Sequence, residues 1–148
     1  MLTTDARSIH ADQAHLRGSG TSPSQAKRPE TPLIWWRTKR PDQLFRKDSA
    51  NLRWALSVTH VANEHRWRDV ALGDPEGSGI LAIEICVRQI QRRGIIATEV
   101  DSAASAVLAN ALLGETASAI ILSWALGQRA RIDPSCDLLS DLWLVAYY

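Results

Sequence analysis

The chain has only two cysteines in 148 residues, Cys86 and Cys136, without the paired spacing of a metal knuckle and too few for a disulfide framework. Both read as small buried hydrophobes of a reducing compartment. The opening residues, Met1 to Arg7, lack the basic-then-apolar order of a signal peptide, and Asp5 and Asp12 argue against an organelle transit peptide. A cytoplasmic location is expected. A Ser-His-Asp arrangement, a phosphate-cradling glycine loop and a Cys/His zinc pattern are all missing, so the sequence assigns no catalytic residue, no metal and no cofactor. The expectation leans away from an enzyme.

Lys, Arg and Asp are absent from Ala103 to Gly127. Such a run invites a membrane span, but Glu115 lies at its centre, where a carboxylate costs roughly 3 kcal/mol at mid-bilayer. The run is also rich in Ala and Ser. Two buried helices are the expected outcome.

What the chain does contain is enough apolar material, 45%, for a single core. Its formal charge of +1 hides an asymmetry: residues 1–72 carry 12 Lys/Arg against 7 Asp/Glu, and residues 73–148 carry 5 against 9. The basic half can meet an anionic partner or dock on the acidic half. Residues 18–32 combine Gly and Ser with three prolines, so residues 1–32 read as a flexible tail and linker. Residues 33–148 read as one helical domain, opened by a basic, Trp-bearing segment over 33–47.

The spacing predicts a mainly α fold, a compact bundle of about five helices behind an extended N-terminal arm. A helix capped at Ser49 runs to Leu72 and stops at Gly73. Arg53, Ser57, His60, Glu64 and Arg68 form its polar strip, with Leu52, Leu56, Trp54 and Val58 among the residues packing on either side. Ile80, Ile83, Val87 and Ile90 mark one face of the next helix, although the β-branched run Ile83 to Val87 also fits a strand, which makes a short α+β strand pair within 80–98 the alternative. Thr98 to Asp101 has capping-box spacing, and Val100, Ala104, Val107, Leu108, Ala111 and Leu112 follow up to Gly114. A helix capped by Thr116 ends at Gly127. A last helix opens at Asp133-Pro134 with Leu138, Leu139, Leu142 and Trp143 as its apolar face. Cys136 lies in its first turn, where a helix dipole favours the thiolate, but a structural thiol fits better because no histidine is near in sequence.

The segment Leu113-Gly-Glu-Thr-Ala-Ser-Ala-Ile120 resembles the turn of the Cro/repressor helix-turn-helix family, with Gly114, Thr116, Ser118 and Ile120 at matching positions and Trp124, Gly127 and Arg129 downstream. Ala109 and Trp124 are each displaced by one residue from that pattern. The resemblance implies a recognition helix over 116–126 and nucleic-acid contacts from Thr116, Ser118, Arg129 and Arg131. Arg53 and His60 have a spacing similar to the short motif of helical HEPN ribonucleases, whereas a solvated strip explains the same two residues. His60 and His65, about 140° apart on a helix, are not set to chelate one metal.

Six tryptophans remain to be placed. Trp54, Trp67, Trp124 and Trp143 fall on expected helix faces, whereas Trp35 and Trp36 precede the helical body and, if exposed, mark a partner surface together with Arg37, Lys39 and Arg40. The leading functional expectation is therefore a non-enzymatic binding or regulatory protein that contacts another protein or itself. A DNA-binding regulator comes second and a helical ribonuclease third.

Overall fold

A computed structural model describes residues 31–61, 64–92 and 97–147. Most of the expected tail, residues 1–30, lies outside them. The described residues form seven helices and no strand: α1 (Trp35–Thr38), α2 (Asp48–Ser57), α3 (Trp67–Leu72), α4 (Pro75–Arg92), α5 (Ala97–Leu112), α6 (Thr116–Arg129) and α7 (Ser135–Ala146). The mainly helical reading holds. The strand alternative does not, because residues 75–92 are one continuous helix opened by Pro75 at its first position.

At the centre is α5, whose residues 101–112 are all buried. Its Ala and Ser side chains let α2, α4 and α6 approach closely, and α7 packs along α6. Where α6 and α7 meet, Ser123 Oγ donates to the carbonyl of Ser140 at 2.9 Å and Ser140 Oγ donates back to the carbonyl of Ser123 at 2.7 Å. The turn at Gly114 has φ +95, and the amides of Gly114 and Glu115 donate to the carbonyls of Ala111 and Asn110. That pairing satisfies the last carbonyls of α5 through a left-handed residue.

Three expectations are corrected. The helix expected over 49–72 is broken after Ser57, because Ser57 Oγ donates to the Trp54 carbonyl and Thr59 Oγ1 to the Ala55 carbonyl, offering the backbone an alternative to helix. Trp67 Nε1 then donates to the Thr59 carbonyl at 2.9 Å and fixes the crossing to α3. Trp54 is consequently 70% exposed rather than core, and Val58 is exposed as well.

The basic segment over 33–47 belongs to the folded body: residues 32–38 make short helical turns that pack on α2 and α5, and the turn at 41–43 packs on α7. Secondly, α5 begins at Ala97, so Thr98 is inside the helix and Asp101 turns to Trp36 and Arg37 instead of closing a capping box. Lastly, α6 passes through Gly127 to Arg129, and it begins after Glu115, with no side-chain cap from Thr116. At the start of α7, Asp133 accepts from the Ser135 amide and hydroxyl, and Leu138 faces solvent while Leu139 and Trp143 are buried.

Candidate interaction surface

The basic segment is fastened by one carboxylate. Asp101 Oδ1 accepts from Trp36 Nε1 at 2.8 Å and from Arg37 Nε at 2.9 Å, and Arg37 Nη2 donates to Oδ2 at 3.1 Å. This is a bidentate pair reinforced by an indole N–H, the geometry in which a desolvated ion pair is satisfied. The hydrogen bond to Asp101 holds Arg37 above its ordinary pKa, against the opposing effect of burial. Ser105 Oγ adds a bond to the Leu33 carbonyl.

These contacts decide where the expected partner residues stand. Trp36 is 0% exposed and offers no free surface, and Trp35 and Lys39 are half-buried. Arg37 is committed to Asp101, while exposed Arg40 pairs with Asp42 at 3.2 Å. The structure thus brings Trp36 and Arg37 together around an acid rather than presenting them outward.

The nucleic-acid residues are spread along α6. Thr116 is exposed at its start, Ser118 is 2% exposed and faces the core, and Arg129 and Arg131 lie at the other end, about 20 Å away by helical rise. Between them the outward positions are Ala117 and Ile120, with Ile121 and Trp124 half-buried. Reading base edges needs donors and acceptors, and this face supplies almost none. Arg129 Nε is buried without a hydrogen-bond partner.

The polar strip proposed for a ribonuclease is dispersed. Arg53 leans inward and donates to Asn110 Oδ1 at 2.9 Å, whereas His60 is exposed in the link after α2. A shallow groove of about 400 Å³ does gather His60, His65, Glu64 and Arg68. Glu64 is tied up there: Arg66 donates to it, and that bond lowers its carboxyl pKa. Among the described residues no group of His, Cys, Asp and Glu is placed to hold a metal ion.

Both thiols are buried and free. Burial pushes Cys86 up to about 11, and Cys136 is raised by burial first and by Asp133 next. Neither is an activated nucleophile, which agrees with a structural part for Cys136. Cys86 lines a small apolar cavity of about 90 Å³ with Trp36, Val100, Ala125 and Ile132.

The sequence marked Ile80, Ile83 and Val87 correctly as one helical face but gave no sign that it points outward. These residues are 43%, 40% and 39% exposed, while Ser78, Leu81, Ala82 and Ile85 fill the inward face of α4. Two sets of apolar residues compete on this helix, and the small residues of the inward set let α5 come close. Beside the outward stripe, α4 and α6 enclose a groove of about 560 Å³ with Ile80, Ile83, Ala117 and Ile121 along it and Asp74, Glu76 and Glu115 at its acidic end. A second outward apolar line, Leu138, Leu142 and Val145, runs along α7, with Leu142 half-buried. No described helix is long and apolar enough to cross a membrane.

Comparison with family models, with curated proteins and with solved structures finds no match for this chain.

Proposed function

We propose that this chain is a non-enzymatic protein-contact module of a reducing, cytoplasmic setting, and that it works through the outward face of α4 and the groove beside α6. One observation carries the reading: Ile80, Ile83 and Val87 form a line of exposed aliphatic side chains running into an apolar groove with a polar rim. Contiguous exposed apolar surface of this kind serves recognition more often than stability. The Trp35/Trp36 segment becomes part of the scaffold in this reading, since its polar atoms are spent on Asp101.

The experiment is site-specific photocrosslinking in living cells. A photoreactive residue replacing Ile83 should yield a covalent protein adduct, and one replacing Arg131, on the far end of α6, should not. Absence of an adduct at 83 overturns the reading.

A nucleic-acid contact through Thr116, Arg129 and Arg131 is the second reading, supported by the helix-turn-helix resemblance around Gly114 and by the exposure of Thr116 and Arg131. It requires duplex binding that weakens steeply with added salt and is lost in Arg129→Ala with Arg131→Ala. Binding indifferent to salt would sink it.

A further inference from the structure

Resting on the reading of α4 as a contact face, we infer that its occupant is a second copy of this chain, packed α4 against α4 in antiparallel register about a two-fold axis between residues 83 and 84. Three observations converge on this arrangement.

The first is spacing. The exposed aliphatics fall at 80, 83 and 87, steps of three and four, and the sequence continues the pattern with Ile90. Alternating steps of three and four keep a seam on one side of a helix and suit another helix running along it. A groove-bound extended peptide would place no such demand. The seam residues are β-branched, and α4 spans 18 residues, roughly 27 Å, long enough for several layers of contact.

The second is the order of charge. Asp74 and Glu76 stand at the start of α4 and exposed Arg88 toward its end, while Glu84 between them is held by Arg66 at 2.6 Å. Antiparallel register about residues 83 and 84 sets Ile80 opposite Val87, and it brings residues 88–92 of each copy level with residues 75–79 of the other. Acid then meets base at both ends, and the two helix dipoles oppose. Parallel pairing would set acid against acid and base against base.

The third is exclusion of the rival face. The outward line on α7 carries only acids, Asp137 and Asp141, among its charged residues. Copies meeting there would repel. A contact between identical patches about a two-fold axis must be self-complementary, and α4 carries both signs along its length, whereas the cation bordering the α7 line, Arg40, is paired with Asp42.

Sedimentation of the purified full-length chain should give about twice the 16.4 kDa chain mass at micromolar concentration. Ile83→Glu should return the monomer with its helical circular dichroism and cooperative melt retained, the melting temperature no longer shifting with protein concentration. As a check independent of that residue, Arg88→Glu should weaken association at least tenfold, and adding Glu76→Arg to it should restore most of the loss. Register is read by mixing differently tagged Ile80→Cys and Val87→Cys chains under mild oxidation: a disulfide joining the two kinds of chain is expected, and disulfides only within each kind would overturn the antiparallel seam.

A wild-type chain still monomeric at 100 μM overturns the inference. Should the crosslinker at position 83 then capture a different protein in cells, the contact-face reading stands and the second copy falls. Should it capture nothing, both fall.

Discussion

Asp101 is a buried charge with two donors from a segment more than sixty residues away in sequence. Removing it strands a guanidinium and an indole N–H, and such stranding costs more than the intact pair gains. Asp101→Ala should lower unfolding stability by about 3 kcal/mol, and Asp101→Asn by roughly half as much because an amide oxygen still accepts. Urea unfolding midpoints of the two variants check the order. Cys86 supplies a second residue-scale prediction. Its thiol is raised from 9.0 to about 11 by burial, so well below pH 9 it is protonated in both the folded and the unfolded chain and its contribution is complete. As pH rises from 9 toward 11 the unfolded chain ionises first, and stability falls by roughly 2 to 3 kcal/mol. Cys86→Ala should remove a large part of that decline between pH 8.5 and 10.5, leaving the slope due to Cys136 and Tyr147, whose pKa values burial also raises. An undiminished decline would assign the alkaline loss to other groups.

At the scale of elements, the two left-handed glycines separate backbone cost from packing cost. A Cβ at Gly114 would meet nothing within 4 Å, so Gly114→Ala should cost only the backbone penalty, about 1 kcal/mol. A Cβ at Gly73, φ +110, would also run into the Arg53 guanidinium that reaches Asn110. Gly73→Ala should therefore cost more than Gly114→Ala, and thermal melts of the pair test it. The same elements show what a sequence can disclose. The stops at Gly73 and Gly114 and the buried run of α5 were legible because glycine geometry and apolar spacing are local. The break after Ser57 was not, since it depends on hydroxyls of Ser57 and Thr59 and on Trp67 reaching back eight residues. The outward turn of Ile80, Ile83 and Val87 was hidden for a different reason. Spacing reveals that residues share a face but not which way the face looks, and here a second set, Ser78, Leu81, Ala82 and Ile85, takes the inward side.

At the scale of the molecule, the N-terminal segment is structural. It covers α5, supplies Trp36 to the core and closes one side of the apolar cavity. A chain beginning at Asp48 should lose cooperative unfolding and bind hydrophobic dyes, measured by circular dichroism and fluorescence. Retention of a sharp transition would show that α2 to α7 suffice. Charge asymmetry was legible in the sequence, and its use was left open between an outside partner and docking within the chain. Arg37 with Asp101 and Arg66 with Glu84 realise the internal option, joining the basic half to the acidic half.

The tie between Arg37 and Asp101 also fixes an order of events during synthesis. Sixty-four residues separate Arg37 from its acceptor. At ribosomal rates of about 5 to 20 residues per second, Trp35 and Trp36 leave the exit tunnel roughly 3 to 13 s before Asp101 does. Through that interval two adjacent indoles and an unneutralised arginine travel without the helix that will shelter them. The nascent chain therefore has a window of vulnerability at its leading end, and the load it places on chaperones should rise when translation is slowed between codons 37 and 101.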